Sequence, residues 1–288
     1  MNVHQRLTSD RAARQGSPRR RPPLSGTIGA VVLGAIVLLA LVGPLIAPYP
    51  LGETVGIPGA GPSANDWLGT DFLGRDVLSR VLHGGLPVLL QATASVMATC
   101  VIGVTVGMFA GLSRPWVDGV VMRLVDVLIV FPPMLLLLVL IAGAGSGTWA
   151  LVLGVTPVLF PGLARIVRSA TMQVASKSFV EAAVARGESL SAIMRREILP
   201  NVLPAVVADV GVRFLWAIFL VASLNFLGLG AQPPAANWGL MVAENRQIAS
   251  LNAWAIAAPA LLIALLSISV NLVGDAFLRS RDGGVKHR

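Results

Sequence analysis

Stretches of about twenty apolar residues recur six times along this chain, separated by short segments that hold most of its charge. A bilayer core about 30 Å thick is crossed by a helix of roughly 20 such residues. The expected spans cover residues 27–47, 87–112, 119–144, 148–167, 203–229 and 252–277. Barrel strands would instead alternate apolar and polar residues over about ten positions, a pattern absent here. A backbone in lipid must satisfy its own hydrogen bonds, so helices follow. The expected fold is all-α, a polytopic membrane bundle of six transmembrane helices. A basic segment (1–26) precedes the transmembrane domain (27–277), and a short tail (278–288) follows it. No second, soluble domain is expected.

The rest of the composition narrows the class further. Hydrophobic residues make up 55% of the 288 positions and charged ones 12%, too apolar for a disordered chain. The formal charge of +8 sits between apolar runs rather than along one polar face, which disfavours a nucleic-acid partner. A single cysteine, Cys100, excludes an intramolecular disulfide and a cysteine-based zinc site. The first apolar run follows six arginines, as a signal peptide would, but it is longer than a signal core and ends at Pro48-Tyr49-Pro50. A retained span is expected. With the N-terminus inside, eighteen Lys and Arg residues face the cytoplasm and three (Arg75, Arg80, Arg246) face outward. The positive-inside rule then places both termini in the cytoplasm.

Three segments between spans carry information. In Trp67–Arg80, Asp71 can cap a short helix with Val77, Leu78, Val81 and Leu82 on one face. An interfacial helix on the outer surface is one reading, a solvated loop the other. The cytoplasmic loop 169–202 is too long for a simple turn. Its alanines favour helix, Gly187 permits a reversal at positive φ, Ser189 or Ser191 can start a second helix, and Pro200 limits it. Leu190, Ile193, Met194 and Ile198 give that second helix an apolar face. Docking onto a partner and packing as a lid on the chain's own bundle both fit this pattern. In the outer stretch Phe226–Gly239, glycines and prolines force an irregular return, and Trp238 and Trp254 read as interface anchors.

Few charges fall within spans. Arg123 and Asp126, and Asp209 and Arg213, sit three and four residues apart, so each couple shares a helix face. Self-neutralising pairs are expected rather than a proton relay. Gly103, Gly107 and Gly111 repeat every four residues and present a smooth packing face. There is no G-x-x-x-x-G-K-[ST] loop, so the chain cannot cradle ATP in that way. His4, His83 and His287 are scattered and show no metal-ligand spacing. Gly145-Ser146-Gly147 suggests an intramembrane serine hydrolase, but no histidine lies in a span to act as its base.

The loop Glu181-Ala-Ala-x-x-x-Gly187, continuing to Ile198-Leu-Pro200, resembles the EAA signature of permeases in ATP-binding-cassette importers. Trp67-Leu-Gly-Thr-Asp-x-Leu-Gly-Arg-Asp-Val-Leu-Ser-Arg80 is similar to the stretch after the first span in the dipeptide/oligopeptide/nickel subfamily. So are Arg123–Pro132, Leu227–Pro234 with Trp238-Gly239, and Asn271-Leu-x-Gly-Asp275. The matches run from about residue 65 to 277 and resemble the "C" type of that subfamily's two permeases. The chain departs at Glu197, where the subfamily has His before Ile-Leu-Pro, and at Leu86-Pro87, where Arg-Ser is common.

This resemblance implies a type I importer permease fold and a bacterial inner-membrane location. It implies four kinds of partner: a second, unlike permease, two ATP-binding subunits, an extracytoplasmic solute-binding protein, and membrane lipid around them. ATP and Mg would be bound by the ATPases, leaving this chain without cofactor, metal or catalytic residues. Glu181, Ala182, Ala183, Gly187, Ile198, Leu199 and Pro200 would couple to an ATPase. Asp126, Pro132, Asn225, Gly228 and Gly230 would be family positions near the translocation path. Import of di- or oligopeptides is the expected function. A nickel or metal-chelate importer is the alternative, and a proton-coupled transporter using Asp126 or Asp209 is the reading from a different class.

Overall fold

The computed structural model describes residues 24–145 and 147–285, with side chains described through residue 277. The arginines before residue 24, Ser146, and the Lys and Arg side chains after residue 277 lie outside the described residues.

Among the described residues the chain is helical apart from turns and two isolated antiparallel bridges. α1 spans Leu24–Ile46 and α2 spans Val77–Leu112. α3 (Pro115–Val130) and α4 (Pro133–Ala144) follow, then α5 (Thr148–Ala175). Two short helices, α6 (Ser178–Ala185) and α7 (Leu190–Ile193), lead through a widened turn into α8 (Leu199–Phe226). α9 (Trp238–Glu244) precedes the last helix, α10 (Trp254–Val285). Five of these (α1, α2, α5, the stretch ending in α8, and α10) are long and apolar enough to cross a membrane. α3 and α4 pass the same test only as a pair, with a 98° bend between them. The bend falls at Phe131-Pro132-Pro133, where neither proline can donate an N–H to a continuous helix.

Six of the twelve expected span limits shift outward. α2 begins at Val77 rather than 87 and is about 54 Å long at 1.5 Å per residue, so only part of it lies in hydrocarbon. The interfacial helix, one of the two readings of Trp67–Arg80, does not form. Its residues enter α2 directly, with Val77, Val81 and Leu82 buried. The capping residue is Asp76, not Asp71: its Oδ2 accepts from the Ser79 amide at 2.7 Å and the Ser79 hydroxyl at 2.6 Å. Asp71 is instead drawn into a buried ion cluster.

Two apolar clusters fill the bundle. One, toward the end that holds residues 48–76, gathers Val88, Leu137, Leu151, Ile218, Leu224 and Trp238. The other, toward the end that holds residues 176–198, joins Leu163 and Val167 of α5 to Val180, Ala183, Ile193 and Ile198. α2 and α5 lie side by side, and the glycine repeat is their contact. A Cβ on Gly107 would stand 2.6 Å from the Ala164 carbonyl and 2.7 Å from the Val167 Cβ. Only a residue without a side chain lets the two backbones approach this closely.

Candidate functional site

The 176–198 end is a preformed helix–turn–helix. α5 ends at Ala175, Lys177 is extended, and α6 starts at Ser178. Val180 and Ala183, three residues apart, are buried against the second cluster, while Glu181 and Ala182 face outward. The three residues of the EAA match thus divide: Ala183 packs inward and the other two are presented. α6 closes in a Schellman turn. The Gly187 amide donates to the Val184 carbonyl at 2.9 Å, and the Glu188 amide donates to the Ala183 carbonyl at 3.2 Å. Gly187 adopts φ +75°, and a Cβ there would meet nothing within 4 Å. The backbone angle, not space, is what requires glycine.

Ser189 then starts the second arm, its hydroxyl accepting from the Ala192 amide at 3.4 Å. Ile193 and Ile198 are buried and Met194 partly so, whereas Leu190 is exposed, so the inner face is one residue shorter than the periodicity predicts. Pro200 does not stop this arm. Residues Met194–Ile198 form a π turn in which the Leu199 amide reaches back to Met194, and Pro200 sits in the first turn of α8. A proline there lacks only an amide that a helix start leaves free, while the turn before it widens to clear the ring. Leu199 is half-buried and Pro200 exposed. One face packs on the bundle, and the other exposes Phe179, Val184 and Leu190 beside Glu181 and Ala182.

Asp126 lies on α3 but does not pair with Arg123. It accepts from Arg165 of α5 at 2.6 Å, with both side chains half-exposed. α5 runs beside α3 and offers its guanidinium from across the interface, which a search within one helix cannot find. Arg168 of α5 likewise forms a two-pronged pair with Asp118 of α3. These two bridges tie α3 to the helix that leads into the 176–198 loop. Asp209 and Arg213 do pair, at 2.6 Å, and Arg213 also donates to the Leu159 carbonyl of α5 at 3.2 Å. Pro132 is the residue at the bend itself.

Asn225, Gly228 and Gly230 form a turn at the end of α8, with Asn225 and Gly230 buried and Gly228 exposed. Asn225 is fully buried. Its Nδ2 donates to the Val221 carbonyl at 2.8 Å and to Gln91 Oε1 at 3.1 Å, and its Oδ1 accepts from the Ala231 amide at 2.9 Å. Gly230 fits because a Cβ there would stand 2.3 Å from Asn225 Oδ1. Gly228 carries φ +74°. Asn237 also donates to Gln91 Oε1, at 3.3 Å, so three buried amides hold the return segment to α2. Gln91 was legible as a polar residue inside a span, but its partners lie 134 and 146 positions away.

Trp238 is no interface anchor. It is fully buried, and its indole N–H donates to the Val81 carbonyl at 2.8 Å. Trp254 is half-exposed. Beside Trp238 lies a cluster the sequence does not announce. Asp71 Oδ2 accepts from Arg75 and Arg80, both at 2.6 Å, and Arg80 also reaches Glu244 at 2.8 Å. All four are buried or nearly so. Burial pushes the Asp71 and Glu244 carboxyls up from their ordinary range, and the Arg80 guanidinium pulls both back down. Among the described residues no group of three His, Cys, Asp or Glu side chains is placed to hold a metal ion.

These features define a polytopic helical membrane protein that presents a helix–turn–helix at one end. The family profile described as "Binding-protein-dependent transport system inner membrane component" matches residues 103–283. The chain belongs to that family. It is 31% identical to the dipeptide transport system permease protein DppC of Alkalihalophilus pseudofirmus, over 90% of this chain and 86% of that relative. It is 38% identical to the glutathione transport system permease protein GsiD of Pectobacterium atrosepticum, over 78% of this chain and 75% of that one. The di/tripeptide transport system permease protein DppC of Pseudomonas aeruginosa shares 33% identity over 90% and 88% of the two chains. Among solved structures, a chain of the inward-facing MetNI methionine ABC transporter superposes with a TM-score of 0.57 at 22% identity. That match covers 70% of this chain and 95% of the other, and shows a shared fold.

Proposed function

We propose that this chain is the membrane-spanning permease subunit of an ATP-driven importer that carries di- or oligopeptides into the cytoplasm. The observation that carries the proposal is the 176–198 loop: one face anchored in the bundle, the other exposing Phe179, Val184 and Leu190 for a partner. An apolar helix face of this kind suits a groove on another protein. In this reading Glu181, Ala182 and Gly187 meet an ATP-binding subunit. Ala183, Ile198, Leu199 and Pro200 transmit its movement into α5 and α8. ATP and Mg stay on that partner. In this reading this end, and both termini, lie in the cytoplasm of a bacterial cell, and the charge bias of the sequence supports that orientation. A solute-binding protein delivers substrate to the opposite end, and a second, unlike permease completes the path. The 98° bend at Pro132 and the Asp126–Arg165 bridge would lie on that path or beside it.

The substrate class follows the relatives, which are named for dipeptides, di/tripeptides and glutathione. The test is uptake of labelled di- to hexapeptides and of nickel by vesicles carrying the chain with its permease, ATPase and binding-protein partners. ATP-dependent peptide accumulation is expected. Nickel uptake alone would replace the substrate, and ATP-independent uptake abolished by a proton uncoupler would replace the mechanism.

A further inference from the structure

We propose that the molecule bends at a seam between its two apolar clusters, and that Arg213 is the positioning residue that holds α5 and α8 in register there. On α5, Leu159 belongs to the first cluster and Leu163 to the second. On α8, Val206 belongs to the second and Ala217 to the first. Between these limits neither helix gives either cluster a fully buried member. A close-packed core moves as a body, so relative motion falls at its boundary.

α5 is weakened at this boundary. Pro157 and Pro161 have no N–H, so the carbonyls of Leu153 and Pro157 lose the donor four residues on. Prolines within a helix are where it kinks. Arg213 seats itself on this stretch. Its Nη1 donates to the Leu159 carbonyl at 3.2 Å, and its Nε donates to Asp209 Oδ2 at 2.6 Å. Gly162 makes the room, since a Cβ there would stand 2.8 Å from both guanidinium Nη atoms. The pair is mostly buried, near the middle of a helix long and apolar enough to cross a membrane. Charge at that depth is costly, and apolar side chains of similar size would join α5 to α8 without the cost. What the guanidinium adds is a directional bond to backbone, which holds register while the side chains around it shift.

α5 enters the 176–198 loop and α8 leaves it. The second cluster binds both helices to the loop through Val180, Ile193 and Ile198. Loop, second cluster and the adjoining ends of α5 and α8 thus form one packed unit, joined to the rest at the seam. α2 crosses the seam unbroken, but it meets α5 beyond that level through Gly103, Gly107 and Gly111, which carry no side chain to interlock. Force on the loop turns the unit at the proline-weakened part of α5, and Arg213 makes α8 follow. The inference rests on the coupling role proposed for the loop.

The experiment measures ATP hydrolysis and uptake of labelled di- to hexapeptides together, in vesicles carrying the full importer. Asp209→Asn combined with Arg213→Met removes the bond to Leu159 and leaves no buried charge unpaired. Uptake should fall about tenfold while hydrolysis changes by less than about twofold, the mark of a joint that no longer transmits motion. Arg213→Lys keeps a charged donor and should recover part of the uptake. Pro157→Ala, at a partly buried position, restores the missing N–H and stiffens α5. It should slow uptake about threefold without lowering the thermal midpoint, and it decides the matter if the neutral pair does not assemble. A brace with no part in motion predicts no such loss from a stiffer helix. Wild-type coupling in the neutral pair, hydrolysis and uptake falling in step in an assembled complex, or full-rate uptake by Pro157→Ala would each overturn the proposal. A wild-type complex without ATP-dependent uptake would instead refute the coupling reading, and this inference with it.

Discussion

The indole of Trp238 is inserted between the return segment and α2, with its N–H on the carbonyl of Val81, 157 residues earlier in the chain. Cβ atoms on Gly84 and Gly85 would stand 2.8 and 2.6 Å from the indole ring. The two glycines make the slot and the tryptophan fills it. Trp238→Ala should cost about 3–5 kcal/mol, the range for deleting a large buried aromatic. Trp238→Phe should cost less, because it keeps most of the packing and loses mainly a hydrogen bond. Thermal midpoints of the purified chain in detergent would rank the two. Equal losses would mean the slot contributes little to packing.

The ion pairs divide by burial, and their replacements should divide in the same way. Arg80 is almost fully buried between Asp71 and Glu244. Arg80→Ala leaves two buried carboxylates with reduced compensation and should cost about 3–5 kcal/mol. Arg165→Ala breaks a half-exposed pair and should cost about 0–1 kcal/mol. Denaturation of both variants in the same detergent checks this, and a larger loss for Arg165→Ala would refute it.

Gly107 and Gly34 separate packing glycines from permissive ones. A Cβ at Gly107 meets the α5 backbone, and one at Gly34 meets nothing within 4 Å. Gly107→Val should therefore lower the thermal midpoint sharply, in the range of about 1–3 kcal/mol or more known for overpacking. Gly34→Ala should leave it unchanged or raise it slightly, because alanine is the better helix former. Matched melting curves decide the matter.

Gly187→Pro should abolish uptake while leaving membrane insertion intact. Proline cannot reach φ +75° and has no amide to donate to Val184, so the Schellman turn is lost. Gly187→Asn should retain more activity than Gly187→Val, because asparagine tolerates the left-handed region and a β-branched residue does not. Vesicle uptake, with co-purification of the ATPase subunits as a second readout, distinguishes these outcomes. Full transport by Gly187→Pro would remove the loop from the coupling role.

Much of the fold is legible in local patterns. Apolar run length announces the spans, the alanines with Gly187 and Ser189 announce the helix–turn–helix, and the four-residue glycine repeat announces a close helix contact. The misreadings share one cause. Asp71 has the right spacing to cap a helix, and Asp126 the right spacing to pair with Arg123, yet both are taken by side chains from other elements. Trp238 reads as an anchor because tryptophan favours the interface, and only the glycine slot on α2 draws it inside.

The sequence by itself determined how many helices can cross a bilayer, and which loop carries a reversal that only glycine makes easy. Both depend on hydropathy and backbone angles within a few residues. The tertiary structure alone decided which charges pair from one helix to another and which polar groups close the 48–76 end. Those choices depend on side chains from 9 to 169 positions apart being brought together. Such a meeting is set by how the helices pack, and no local pattern records it.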